Sequence, residues 1–332
     1  MKILVTGNLG YVGSHLTELL ISSGHEVIGC DLSLFPEAIC GTLSTPALQL
    51  NKDFRDLSEK DFEGIEAIAH LAGISNDPMG EINPGLTLKV NGEGSVLLAE
   101  KAKTAGVKIF VFASSCSIYG SLGNESKTEN DATNPLSEYA SSKLFAEKGL
   151  SQLKSPKFHV YILRNATAYG ASPVFRTDLV VNDLSTGIHV TAKSQIKSDG
   201  TPWRPLIHCR DMAQAFKQFI ERDPIEASGK PVNVGFNQEN FQVKTIADIV
   251  QKNWEHGEIE YSGQNHHDPR NYRVNFDLLQ RYLPNFQPEF PLMLGIPDLK
   301  KFLEISGYSF DDFQKGRFIR ITELKKSIEK IK

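Results

Sequence analysis

The sequence predicts an α/β fold: a doubly wound parallel sheet with a smaller C-terminal cap. Three observations point there. Apolar runs of strand length alternate with amphipathic runs of helix length through the first half of the chain. The first strand passes through a glycine-rich turn straight into a helix. Beyond about residue 165 the alternation fades into loops and short helices, too irregular for a second independent sheet. A chain of 332 residues can hold one large or two small domains. The expected division is a Rossmann domain over residues 1–170, with returns near 205–235, and a mainly substrate-binding cap over 171–332.

Composition narrows the function classes. A net charge of −4 leaves no basic footprint for nucleic acid or an anionic membrane. The four cysteines, Cys30, Cys40, Cys116 and Cys209, are scattered without C-x-x-C spacing, as expected of reduced cytoplasmic thiols. The start, M-K-I-L-V-T-G, enters a strand directly, so no signal peptide is expected. No apolar run reaches the roughly 20 residues of a membrane helix. His266-His267-Asp268 resembles a metal site in composition only; adjacent histidines rarely share an ion, so a solvated loop and no metal are expected.

Taken in order, Lys2–Thr6 is a strand, and Gly7-Asn8-Leu9-Gly10-Tyr11-Val12-Gly13 opens a helix to about Ser23. Glycines let a pyrophosphate approach the backbone N–H groups at the helix start. The spacing is G-x-x-G-x-x-G, and its place after the first strand gives it meaning. Glu26–Cys30 is the next strand, ending at Asp31, where a carboxylate can accept from ribose hydroxyls and would repel a 2′-phosphate. No Lys or Arg follows before Lys52, so the expected cofactor is NAD. A loop over Ser33–Pro46, a short strand near Leu48 and the run Lys52-Asp53-Phe54-Arg55-Asp56 come next. Ile65–His70 is a strand followed by Leu71-Ala72-Gly73, small enough for a dinucleotide to lie across. The polar loop Ile74–Pro78 precedes a long helix over about Pro84–Ala105 and the buried strand Ile109–Ala113. Phe158–Arg164 is a sixth strand, and Asn165–Phe175 is loop-like. A helix over Arg176–Thr186 is expected to stop at Gly187. Pro205–His208 and Val232–Val234 are short strands, Arg210–Arg222 and Thr245–Trp254 are helices, and Ile321–Lys332 is a basic amphipathic tail.

The chemistry concentrates between Ser115 and Lys143. Tyr139 and Lys143 are four apart, on one helix face a turn apart. A free tyrosine titrates near ~10, too high for a base at neutral pH. A nearby ammonium favours the phenolate, which can then take a proton from a substrate hydroxyl. Ser115, at the end of the preceding strand, can hydrogen-bond the same oxygen. Y-x-x-x-K alone matches many exposed helices by chance; the strand–turn–helix context gives it weight.

Five ordered blocks, T-G-N-L-G-Y-V-G, D-F-R-D, H-L-A-G, S-S-C-S-I-Y-G with Y-A-S-S-K, and W-R-P-L-I-H-C-R-D, resemble the extended short-chain dehydrogenase/reductases. The branch is that of the NAD-dependent nucleotide-sugar epimerases and dehydratases, over about residues 1–280. The resemblance implies that Gly7, Gly10, Tyr11, Val12 and Gly13 surround the pyrophosphate and Asp31 binds the adenosine ribose. Asp53 and Phe54 would flank the adenine, and Leu71, Ala72 and Gly73 would line the cofactor cleft. Tyr139 would be the catalytic base, Lys143 would also hold the nicotinamide ribose, and Ser115 would be the hydroxyl partner. Arg204 and Arg270 would clamp a substrate diphosphate, a task suited to guanidinium forks, or form surface ion pairs. Asn76, Ser117 and Thr167 would face the substrate. A homodimer built on helices near 85–105 and 137–152 is implied as well.

Departures from the family pattern bear on the reaction. In 4,6-dehydratases the motif T-D-E-V-Y-G carries an acid and a base; here those positions are Cys116 and Ser117, which supply no carboxylate. A decarboxylase keeps the Glu too. A Ser at 117 resembles the C4-epimerases. Thr167 stands where Asn is usual, and the S-N-D-P loop at Ser75–Pro78 also differs. Cys116 could move a carbon-bound proton in a 3- or 5-epimerisation, or be a packed thiol. The expected function is NAD-dependent epimerisation of a nucleotide-diphosphate sugar at C4 through a keto-sugar. The alternatives are a nucleotide-keto-sugar reductase, a 3/5-epimerase-reductase and a non-catalytic NAD-binding regulator.

Overall fold

The computed structural model describes residues 1–261 and 270–324, except for the side chains of 122–124. His266-His267-Asp268 and the tail beyond 324 therefore lie outside the described residues.

Seven strands form one parallel sheet: β1 (Lys2–Thr6), β2 (Glu26–Cys30), β3 (Leu48–Leu50), β4 (Ala67–His70), β5 (Ile109–Ser115), β6 (His159–Asn165) and β7 (Pro231–Val234). Their order is β3-β2-β1-β4-β5-β6-β7. The order reverses between β1 and β4, and a ligand crevice opens at such a switch point. Alternation along each strand splits the core in two. Ile3, Val5, Ala67, Ala69, Ile109 and Val111 face Leu16 and Leu20 of α1 (Gly13–Ser22) and Phe216 and Phe219 of the helix Cys209–Arg222. Leu4, Ile28, Ile68, Phe110 and Phe112 face the other layer, with Leu98 and Ala102 of α2 (Ser95–Thr104) and Ala146 and Leu150 of α3 (Glu138–Leu153).

Several expected elements differ. The helix expected over Pro84–Ala105 is Pro84–Thr87, a π-helical stretch Leu88–Gly94 and then α2. The polar loop before α3 contains a strand, Ser121–Lys127, paired in parallel with Asn271–Val274. A strand Thr167–Tyr169 interrupts the expected loop over Asn165–Phe175, and pairs with Trp203–His208, which also pairs with Asn240–Gln242. The C-terminal half thus contains small sheets of its own. The helix expected to stop at Gly187 runs instead over Val180–Thr191. Gly187 lies inside it because the strand Lys193–Ile196 turns back close by: a Cβ there would meet Ser194 Oγ at 2.8 Å. This half has its own core, in which Tyr169, Phe175, Leu184, Ile188, Leu206, Ile246, Leu292, Ile296 and Leu299 pack together.

α3 is docked by a buried polar network. Ser137 caps it, accepting from Ala140 N. Glu147 accepts from Arg164 Nη2 at 2.8 Å and from Ser114 Oγ, both on neighbouring strands. Arg164 Nη1 donates to Tyr119 Oη at 2.9 Å, and that phenol donates to Asn233 Oδ1 at 2.8 Å. Glu147→Gln leaves a buried guanidinium without its counter-charge and should cost about 3–5 kcal/mol, read from the urea midpoint. The double change Glu147→Leu/Arg164→Met should recover much of that loss.

Candidate active site

The glycine turn is shaped by close backbone packing. Gly7 has φ of +76°, a conformation L side chains rarely adopt, and a Cβ on it would meet Ala72 N at 2.7 Å. A Cβ on Gly13 would fall 1.9 Å from Gly7 O, so α1 can begin there only with glycine. Tyr11 Oη donates to Gly170 O at 2.6 Å and ties the turn to the C-terminal half. A cleft of about 660 Å³ opens above it, lined by Gly7, Gly10, Tyr11, Val12 and Gly13.

Asp31 lines the same cleft at the end of β2. Its carboxylate accepts from Leu9 N at 3.2 Å and Ser33 N at 2.9 Å, while burial pushes its pKa up. Asp53 and Phe54 line the cleft too. The Asp53 carboxylate is held by Arg55, with Nη2 at 2.6 Å, and Phe54 packs edge-on against His70. Leu71, Ala72 and Gly73 complete the floor; a Cβ on Gly73 would meet Asn91 Oδ1 at 2.6 Å. A glycine turn at a helix start, a strand-end carboxylate and a small-residue floor fit a dinucleotide.

The three candidate catalytic residues come together in this cleft. Ser115 Oγ accepts from Ser117 N at 3.1 Å, and its hydroxyl is close enough to the Tyr139 phenol to lower that group's pKa. Lys143 Nζ lies 4.7 Å from the Phe112 ring centroid and 5.8 Å from that of Tyr139. Burial pushes the Lys143 ammonium down to about 8, opposed by Glu147 one turn on. The Tyr139 phenol differs from expectation. Burial first, and the Asp77 carboxylate second, push it well above the usual range, outweighing Ser115 and Arg176. Desolvation of the phenolate dominates, and Lys143 alone does not offset it.

The expected substrate residues also reach the cleft. Ser117 is buried and its Oγ has no hydrogen-bond partner among the described residues, while Thr167 borders the cleft from the strand Thr167–Tyr169. Asn76 caps a short helix and donates to Asp178 Oδ2 at 2.6 Å. Arg204 Nη1 donates to Arg270 O at 2.6 Å, and Arg270 Nη1 pairs with Asp77 Oδ2 at 2.6 Å. Ser137 also donates to Asp77. Cys116 does not line the cleft. It is buried, its Sγ lies 3.1 Å from Arg164 O, and burial raises its pKa well above the usual range, so it is a packed thiol.

Sequence reasoning missed Asp77, Arg176, Asp178 and Arg320, all in the cleft lining. Arg176 forms a two-point pair with Asp178, both bonds 2.9 Å, and acts electrostatically on Tyr11 and Tyr139. Asp77 lies in the S-N-D-P loop already singled out, but no motif marks Arg176, Asp178 or Arg320. Asp77 and Arg270 meet only through the fold.

Lys143 makes stability depend on pH. Its pKa is lower folded than unfolded, so the folded chain binds fewer protons between about pH 8 and the unfolded value, and stability rises with pH there. The cost of holding the ammonium is complete below about pH 8 and fades above it. Lys143→Met should therefore raise the urea midpoint of the cofactor-free protein at neutral pH, and the advantage should shrink as pH climbs past 8. A constant difference would contradict this.

A UDP-glucose 4-epimerase of Neisseria meningitidis serogroup C is 29% identical over 276 residues, covering 74% of this chain and 80% of that one. UDP-glucuronic acid decarboxylase 1 of Arabidopsis thaliana is 26% identical over 307 residues, 90% of this chain and 68% of that one. The solved structure of TunA, an NAD-dependent NDP-hexosamine 5,6-dehydratase of tunicamycin biosynthesis, shares the fold, with a TM-score of 0.80 and 23% identity over 92% of this chain and 98% of that one. The model of the NAD dependent epimerase/dehydratase family matches residues 3–235. The chain belongs to that family, and NAD is its cofactor.

Proposed function

We propose that this protein epimerises a nucleotide-diphosphate sugar, at C4, through a transient keto-sugar. The observation that carries the reading is the Ser115–Tyr139–Lys143 group in a cleft where the two following positions, Cys116 and Ser117, present no carboxylate. Elimination of water needs an acid and a base there, and the Cys116 thiol is buried against Arg164. Relatives named as UDP-glucose 4-epimerases support a sugar-nucleotide substrate, while the decarboxylase and dehydratase among them show that kinship alone does not select the reaction.

When bound, NAD⁺ supplies a reversible hydride acceptor and a positive charge. Tyr139 Oη takes the proton of the sugar hydroxyl, and Ser115 Oγ holds that oxygen. Arg176 favours the phenolate electrostatically, and the Lys143 ammonium, 5.8 Å from the ring centroid, would act in the same direction. The keto-sugar turns over, so that the hydride held by the cofactor would return to the opposite face of C4 while Tyr139 gives the proton back to the oxygen. Arg204 and Arg270 flank the entrance, and Arg270 would exchange Asp77 for a substrate phosphate.

The test is NAD-loaded protein with UDP-, dTDP-, GDP- and CDP-sugars in deuterated water, followed by NMR. A new C4 epimer without carbon-bound deuterium is expected. Deuterium at C3 or C5, or net reduction of a keto-sugar, would overturn the reading. Tyr139→Phe should lower kcat by roughly 10²–10⁴-fold.

We also propose a homodimer through the helices at 84–104 and 138–153. They approach closely, since a Cβ on Gly149 would meet Val96 Cγ2 at 2.5 Å, yet they leave Leu86, Leu97 and Phe145 exposed. Light scattering should give a dimer, and Leu97→Asp/Phe145→Asp a monomer; a monomeric unaltered protein would refute the assembly.

A further inference from the structure

The segment after the helix Leu292–Ser306 returns to roof the cofactor cleft. Arg317 Nε donates to Glu37 O at 3.0 Å, and Phe318 O accepts from Thr177 N at 3.2 Å. Phe318 packs against Phe175 and Tyr308, with ring centroids 5.8 and 5.6 Å away. Two walls of the cleft, the loop after Asp31 and the stretch 174–178, are thereby bridged. Arg320, Ile321 and Leu324 line the cavity beneath. This returning segment lies beyond the residues the family model matches.

Arg320 is unusual among the cleft residues. It is only 3% exposed, its guanidinium lies over the Phe35 ring at 4.3 Å, and its Nη1 has no hydrogen-bond partner among the described residues. Among the described residues its ion-pair partner is Glu323, whose Oε2 lies 3.5 Å away and whose other oxygen accepts from Phe318 N. Asp31, Asp178 and Arg176 all act on it electrostatically. Burial and Arg176 outweigh these acids and press the guanidinium down to about 10, so its charge is incompletely answered.

Position identifies what would answer it. The loop after Asp31, whose Phe35 ring lies 4.3 Å from the guanidinium, would be the ribose end of the cleft, and the stretch 174–178, tied to the roof through Thr177, carries Arg176 and Asp178, which bond Ser75 and Asn76 toward the reacting end. A group within reach of both stands over the middle of a dinucleotide. We infer that Arg320 is a binding residue for the NAD diphosphate, delivered by the C-terminal segment opposite the glycine turn. The turn offers backbone N–H groups from one side, and Arg320 offers a guanidinium fork from the other. The inference rests on NAD as the cofactor and is independent of the sugar chemistry. It also suits a cofactor regenerated at each turnover, which has no need to leave.

The test is calorimetric titration of cofactor-stripped protein with NAD, ADP-ribose and adenosine, together with thermal unfolding. Arg320→Gln should weaken NAD and ADP-ribose by roughly ten- to a hundredfold, the worth of a charge-assisted hydrogen bond. Adenosine, which has no phosphate, should bind as before. Arg320→Lys should recover part of the loss. The melting temperature of the stripped protein should stay level or rise, because a poorly compensated buried charge is gone, while the stabilisation by added NAD should shrink. Arg317→Gln loosens the same roof without touching the guanidinium and should weaken NAD less. Unchanged NAD affinity in Arg320→Gln would overturn the assignment. So would an equal loss for adenosine, or an equal loss in Arg317→Gln, since either makes Arg320 a part of the roof and no ligand of the diphosphate.

Discussion

The docking of α3 on the sheet is the constraint on which the site depends. Tyr139, Lys143 and Glu147 succeed one another at intervals of four, so they share a face. Glu147 is locked to Arg164 on β6 and Ser114 on β5, all buried. That lock sets the helix's rotation about its axis, and one residue further along β5 lies Ser115. The structural anchor and the reactive hydroxyl are therefore neighbours on a single strand end. Turning α3 would break a buried ion pair before it moved the phenol away from Ser115.

The cleft itself is electrostatically expensive without ligands. Lys143 is held below its usual range and Tyr139 above it, each by burial. Arg320 is held down as well, while Arg176 and Asp178 are matched in a two-point pair. A cofactor that carries negative charge at its centre and positive charge at its reacting end answers Arg320 and favours the Tyr139 phenolate. Binding energy gained along the dinucleotide can then be spent on keeping a phenolate in a dry pocket.

The features that a short window can hold were legible in the sequence: the glycine turn, Asp31 at a strand end, and Tyr139 with Lys143 and Ser115. Their spacing is local, and period-two and helical patterns carry it. Features made by approach in space were not. Gly187 reads as a stop signal, but Ser194 presses against it and the helix continues. Asp77 and Arg270 are far apart in the chain and meet across the cleft. The absence of a basic residue between Asp31 and Lys52 says nothing of Arg320, which comes to the same region from the opposite end of the chain. Cys116 sits beside Ser115, and only packing against Arg164 shows which way the thiol faces.

The central claim is that Tyr139, set by α3, moves the proton while the sugar is transiently oxidised. Stopped-flow absorbance of the reduced nicotinamide, recorded with a nucleotide sugar that turns over, tests it most directly. The account predicts a transient signal that rises and decays in the unaltered protein and is suppressed in Tyr139→Phe. A new epimer formed with no reduced nicotinamide, or an undiminished transient in Tyr139→Phe, would contradict it.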